Sequence, residues 1–363
     1  MKRYSIGMCA SLLLLFALLA PLKGTEAAPP AAFRHSVRAL SMGGTFITHS
    51  DDLEAMVYNP ASLSRFEGFD LIIPGFSFGI NDKILDVVDF AEKNQESLEN
   101  FDALDEAVET QFRKDFAPID GQRSKIAFSP LVGLAFKHFG LSVYGTSDIG
   151  LIVDQGIFEP RISGFVTTDV VTTVGYGQSL LLENLDIGAT FKHITRRVAD
   201  VTVKASEAGE AQEVVETMLD EQEEGVTGYG LDIGAIYRFS PRIVFAGVIQ
   251  DFLGHIDGEG TPFNLKVGGA YRIQPRLRGT VEVHDFFNDA GTNLFTRIHM
   301  GVEYSLPVLA LRAGFNQGYP CFGLGVNLKF FSVDYAYYGE ELGAYPGQDQ
   351  QNNHLFSLRL GWR

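Results

Sequence analysis

FNLKVGGAYRIQPRLRGTVEVH, residues 263–284, holds two alternating runs around one tight break. In the first run Phe263, Leu265, Val267, Gly269, Tyr271 and Ile273 share one face. Asn264, Lys266, Gly268, Ala270 and Arg272 share the other. In the second run Leu277, Gly279, Val281 and Val283 oppose Arg278, Thr280, Glu282 and His284. A period of two with one apolar face marks strands that keep one face out of water. Gln274-Pro275 between the runs leaves space for a turn and nothing longer.

The same pattern continues along the chain. "RIHMGVEY" (297–304) and "FGLGVNLKF" (322–330) alternate in the same way. The closing "HLFSLRLGWR" (354–363) puts Phe356, Leu358, Leu360 and Trp362 on one face. Strands are predicted near 68–80, 124–137, 139–152, 164–180, 185–202, 228–239, 242–251, 263–273, 276–286, 295–305, 308–317, 321–330, 332–340 and 354–363. A soluble sandwich would alternate too, with its apolar face in a core. The connections separate the two cases. Short turns ("HF", "LLEN", "SP", "QP", "LP", "FF") alternate with longer loops at 81–123, 153–163, 203–227, 252–262, 287–294, 318–320 and 341–353. Short turns on one rim and longer loops on the other, with about fourteen strands, mark an antiparallel outer-membrane β-barrel. Both termini then face the periplasm.

The first residues are consistent with export. Lys2 and Arg3 precede an apolar run, Leu12–Ala20, and Thr25-Glu26-Ala27 offers a small-residue cleavage site. Residues 1–27 therefore read as a signal peptide. Three basic residues and one acidic residue fall in that segment, which leaves 26 basic and 44 acidic side chains, a net of −18. Such a chain repels nucleic acid. Cys321 is the one cysteine left, so no internal disulfide forms. Two segments with helical spacing, 82–116 and 204–224, carry −7 each and are expected as acidic helical insertions in outer loops. The barrel wall itself is nearly balanced.

Ahead of the first strand lies "RALSMGGTFITHSDDLEAMVYNPASL" (38–63). Gly43 and Gly44 permit positive φ or a close backbone approach. Asp51 and Asp52 stand where a short helix over Leu53–Tyr58 needs a cap. Asn59-Pro60-Ala61 favours a turn. The run Arg38-Ala39-Leu40-Ser41-Met42-Gly43-Gly44, Phe46, Asp51-Asp52, Ala55, Asn59-Pro60-Ala61, Leu63 resembles the N-terminal pattern of the FadL-like outer-membrane transport superfamily, which includes PorV/PorQ-like and TraF-like barrels. Ser41 departs from the family's glycine. The resemblance implies a plug or hatch over 28–67 inside a barrel of 68–363. It also implies that Gly43, Gly44, Asp51, Asp52, Asn59, Pro60 and Ala61 border a ligand path. It further implies uptake of hydrophobic molecules such as long-chain fatty acids. The alternative within the same family is a non-transporting PorV/TraF-like barrel that docks or assembles an envelope secretion system. Outer-membrane lipid and lipopolysaccharide would surround either one, and an envelope protein would partner the second.

No catalytic, metal or cofactor site is expected. "GFSFG" (75–79) matches the nucleophile-elbow spacing, but that chemistry needs a strand-to-helix turn, and Ser77 reads as mid-strand between outward Phe76 and Phe78. His284 and His299 share inward parity with Glu282 and Glu303, which reads as a lumen polar network. Asp232, Lys266, Arg272, Arg278, Glu282, Arg297, Glu303, Arg312, Lys329 and Arg359 are all expected on the lumen face. Leu324 is expected to face lipid, and Gly325 is expected to face a lumen with room for a side chain.

Overall fold

The structure, a computed structural model, describes residues 36–49, 52–66, 68–94, 97, 105–154, 161–180, 184–204 and 225–362. The proposed signal peptide, Asp51 and residues 205–224 lie outside the described residues. Fourteen strands close into one antiparallel barrel: β1 (Phe69–Asn81), β2 (Gln122–Phe136), β3 (Phe139–Asp154), β4 (Arg161–Ser179), β5 (Leu185–Lys204), β6 (Val226–Arg238), β7 (Ile243–Ile256), β8 (Asn264–Gln274), β9 (Leu277–Val283), β10 (Ile298–Ser305), β11 (Leu309–Asn316), β12 (Tyr319–Asn327), β13 (Phe331–Glu341) and β14 (Gln350–Trp362). Each strand pairs with its sequence neighbour, and β1 pairs with β14 to close the ring. A two-residue strand, Glu259–Gly260, folds back on the end of β7. No helix is long and apolar enough to cross a membrane among the described residues; the crossing is made by strands. Because the ring closes, no strand is left as a free edge of the sheet.

The predicted parity holds over most of the ring; Leu265, on the face expected to point outward, is buried, and β7 buries Val248, Ile249, Gln250 and Asp251 in succession where its register slips. Phe356, Leu358, Leu360 and Trp362 are exposed, while Leu355, Ser357 and Arg359 are buried. Phe76 and Phe78 face out and Ser77 faces in, mid-strand in β1, which disposes of the nucleophile elbow. Exposed apolar side chains outside and buried polar ones inside invert the usual soluble arrangement, as a lipid-facing barrel requires.

Three boundaries differ from the sequence reading. β9 stops at Val283, and a four-residue helix, α5 (Leu294–Arg297), precedes β10; Asp285 and Asn288 adopt positive φ and break the ladder between them. The outer connection between β11 and β12 is the two-residue turn Gln317-Gly318, both residues at positive φ. Lys329 is exposed in the β12–β13 turn and not on the lumen face; its Nζ lies 5.4 Å from both the Phe330 and Trp362 rings. The turn takes it out of the strand, so strand parity no longer applies.

Strand lengths are uneven. β4 and β5 have 19 and 20 residues, whereas β9, β10 and β11 have 7, 8 and 8. At ~3.4 Å per residue and a tilt near ~40°, the longest strands rise about 50 Å and the shorter ones about 20 Å, against an apolar band of about 25 Å. One wall therefore stands well clear of the membrane and the opposite wall ends near its surface. Exposed Phe286, Phe287 and Phe295 sit on that low rim. On the β1–β2 side, the outer loop folds into α3 (Asp82–Lys93) and α4 (Glu106–Phe116), held together by Phe90, Phe112, Phe116 and Ile119. Lys93 Nζ bonds Asp115 at 2.7 Å.

Candidate functional site

The N-terminal segment 36–66 packs against lumen-facing positions on both sides of the ring. α1 (Val37–Leu40) meets β12, β13 and β14; α2 (Leu53–Tyr58) meets β1 and β2; the 3-10 turn Pro60–Arg65 meets β4, β5 and β6. Nearly every residue in it is buried. The wall makes space for it with glycines. A Cβ on Gly314 would come within 3.0 Å of Gly43 N, and one on Gly175 within 3.0 Å of Leu63. Gly301 and Gly323 face Met42 and Ser41, and Gly188 and Gly234 face Pro60 and Asn59, too closely for any side chain.

The expected site residues take defined places. Gly43 and Gly44 have φ of +73° and +83°. Gly43 abuts the β10 and β11 backbone at Met300 and Phe315, so both of its special features are used. Its carbonyl bonds His299 Nδ1 at 2.7 Å. Asp52 caps α2, accepting from Ala55 N at 2.9 Å. Asn59 caps the 3-10 turn through Ala61 N, and its amide donates to Ile47 O at 2.8 Å. Pro60 and Ala61 are buried against β5. Of these, Gly44 alone lines the cavity described below; Asp52, Asn59, Pro60 and Ala61 hold the segment to itself and to the wall.

Charges fasten the segment. Arg38 donates through Nε and Nη2 to the two carboxylate oxygens of Glu303, both at 2.9 Å, and through Nη1 to Asp52 at 2.9 Å. Arg312 bonds Glu303 at 2.8 Å and Asp334 at 2.6 Å. Arg359 bridges Asp334 at 3.0 Å and Glu54 at 2.9 Å, and Glu54 accepts from Ser36 at 2.7 Å. Three arginines and four carboxylates thus form one buried net across segment and wall. Gly325 faces it: a Cβ there would strike the Asp334 carboxylate and lie 2.9 Å from the Arg312 guanidinium. The lumen has no room at this position, contrary to the sequence expectation, because the arginine pair fills it.

Of a second net, on β4–β7, the sequence reading places only Asp232 on the lumen face. Lys192 bonds Asp232 at 2.8 Å and also Asp251, and Arg196 bonds Asp169 at 2.7 Å. Inward parity on β5 (Thr190, Lys192, Ile194, Arg196) carries the signal for the cations. Asp251 has no such signal, since β7 slips register with β6 and places Asp251 at φ +58°. Its N–H donates to Asp232 at 2.8 Å.

Above the segment, toward the outer end, lies a cavity of about 370 Å³. Its charged lining is mixed: Lys125, Lys266 and Arg297 stand beside Asp251, Asp285, Glu340 and Glu341, with His284 just after β9 and His299 on β10. The His284 and His299 rings stack at 3.9 Å, and His284 Nε2 meets Glu282 at 3.0 Å. No cluster suited to a metal ion occurs among the described residues. A larger concavity of about 770 Å³ lies on the wall between the outward Phe245, Tyr271, Met300 and Phe315, over Gly269 and Gly279, and its lining is almost wholly apolar.

These features define a fourteen-stranded β-barrel of the outer-membrane type, with the described residues of 36–66 packed against its inward-facing wall positions. Its fold is similar to that of TodX, a monoaromatic hydrocarbon channel. A deltaS2S3 mutant of TodX matches with a TM-score of 0.57 and 13% identity, over 90% of this chain and 98% of that one. A deltaS2 mutant matches with 0.55 and 12%, over the same shares. TodX is a FadL-family channel, so the fold agrees with the family that residues 38–63 resemble. No protein-family profile matches the sequence, and no curated protein matches it significantly.

Proposed function

We propose that this protein moves hydrophobic or amphiphilic molecules across the outer membrane, with residues 28–67 as its plug. The carrying observation is the 370 Å³ cavity over a buried N-terminal segment. A passive pore has no use for a lumen closed by its own chain, whereas a selective carrier needs both a binding chamber and a barrier. In a chamber of mixed charge, Lys266 and Arg297 are the groups that would meet an acidic head, such as that of a long-chain fatty acid. The low rim, with Phe286, Phe287 and Phe295, brings the chamber mouth near the lipid surface, where such molecules partition.

The test is uptake of a fluorescent long-chain fatty acid into vesicles bearing the barrel, beside a variant lacking residues 28–67. Wild type should take up the probe without passing small hydrophilic solutes. The deletion should still form a heat-modifiable barrel, because ladder bonds run strand to strand, but it should leak those solutes. An intact barrel with no uptake and a stably co-purifying envelope protein would favour the docking role instead.

A further inference from the structure

At the periplasmic mouth, opposite the chamber, four arginines gather on one arc of the wall. Arg238 ends β6, Arg242 lies in the β6–β7 turn, and Arg272 and Arg278 lie near the β8–β9 turn. With Thr48, Pro241, Val244 and Ala270 they line a cavity of about 110 Å³. None of these eight residues is acidic. Arg238 is paired with Asp186.

Three details make this more than a solvated rim. Arg272 and Arg278 are direct cross-strand partners in the β8–β9 ladder. Like charges set directly opposite one another destabilise a sheet unless something neutralises them. Arg242 joins them, since its carbonyl accepts from Arg272 N at 2.8 Å. On the segment side, Thr48 is 5% exposed and its hydroxyl has no hydrogen-bond partner. The neighbouring segment is fixed to the same strands: Ile47 N donates to Glu282 at 2.9 Å, and Thr45 and Thr280 share a 2.6 Å hydroxyl bond. Thr48 is therefore held over the arginines by contacts on either side of the lumen polar network.

We infer that this pocket binds a single oxyanion group, carboxylate or phosphate, between Arg242, Arg272, Arg278 and the Thr48 hydroxyl. Guanidinium forks match both anions in geometry. The volume admits one such group and excludes an acyl chain, so any attached tail must lie outside it. Bridging wall and segment, the anion would relieve the Arg272–Arg278 repulsion and help to seat the segment. This site does not depend on whether the barrel transports.

The test is thermal unfolding of the detergent-solubilised full chain, followed by heat-modifiability, with inorganic phosphate or dodecanoate titrated against chloride at matched ionic strength. A ligand that binds the folded barrel raises its midpoint with concentration. Wild type should be stabilised by at least one of the two probes beyond chloride. If phosphate acts, the source is a phosphate group, as on a phospholipid; if dodecanoate alone acts, it is a carboxylate amphiphile. Arg272→Gln should unfold at a higher temperature than wild type without added anion, because the repulsion is gone, and should lose at least tenfold in apparent affinity. Arg278→Lys should keep the repulsion and lose the fork, weakening binding without that stabilisation. Arg123→Gln, at the outer end of β2, should match wild type. Equal responses to chloride and both probes would overturn the site. So would unchanged binding in Arg272→Gln.

Discussion

Arg38→Met isolates the tie between segment and wall. The change removes three charge-assisted hydrogen bonds, two to Glu303 and one to Asp52. At about 1.5–3 kcal/mol each, their simple sum is an upper bound of about 5–9 kcal/mol. The true loss is smaller. Glu303 keeps Arg312 at 2.8 Å, and Asp52 keeps Ala55 N at 2.9 Å. Breaking one member of a buried pair costs about 3–5 kcal/mol, and we expect that range. It amounts to a roughly hundred-fold to few-thousand-fold shift from seated toward unseated segment. The strand ladder is untouched, so the protein should still run as a heat-modifiable barrel. Single-channel recording should show frequent openings absent from wild type, and limited proteolysis should cut near residues 36–66. Glu303→Met added to Arg38→Met should recover part of the loss, because Arg312 retains Asp334 at 2.6 Å. A quiet Arg38→Met channel with wild-type proteolysis would refute the tie. Loss of the barrel itself would refute the independence of ladder and segment.

Other outcomes test separate parts. Leu324→Arg, on the exposed outward face, should cost roughly 2–4 kcal/mol if that face meets lipid; Gly325→Arg, aimed at the Asp334–Arg312 pair, should cost at least as much in equilibrium unfolding into lipid vesicles. A clearly milder Gly325→Arg would mean that the lumen net can give way. Val108→Cys in α4 should react with an impermeant thiol reagent on intact cells, and Gln274→Cys should not; the reverse would invert the rim assignment. Asp115 is held below its ordinary pKa chiefly by its hydrogen bond from Lys93. The α3–α4 tie is thus complete above the ordinary carboxylate value and fades as pH falls through the lowered one. Lys93→Gln should move the Asp115 carboxyl titration upward by NMR, and an unmoved midpoint would discard the tie.

Much of this was written in the sequence because a strand alternates with period two and a barrel wall has only two sides. The order of residues 263–284 alone sorts Tyr271 and Val281 outward and Thr280 and Glu282 inward, and turn length sorts the rims. Turns end that rule, which is why Lys329 was misplaced and why β9 stops before Phe286. The motif at 38–63 announced caps and glycine bends, and Asp52, Asn59 and Gly43 perform them by local geometry, which sequence spacing encodes. What spacing does not encode is which residues meet across the lumen. Arg38 and Glu303 are 265 positions apart, and their contact depends on the ring closing and on the segment crossing it. The register slip that turns Asp251 toward Lys192, the glycines that fit Met42 and Pro60, and the arginine that fills the space beside Gly325 were all decided by that closure. Local periodicity fixes a residue's direction, but only the completed ring sets the distance to whatever it faces.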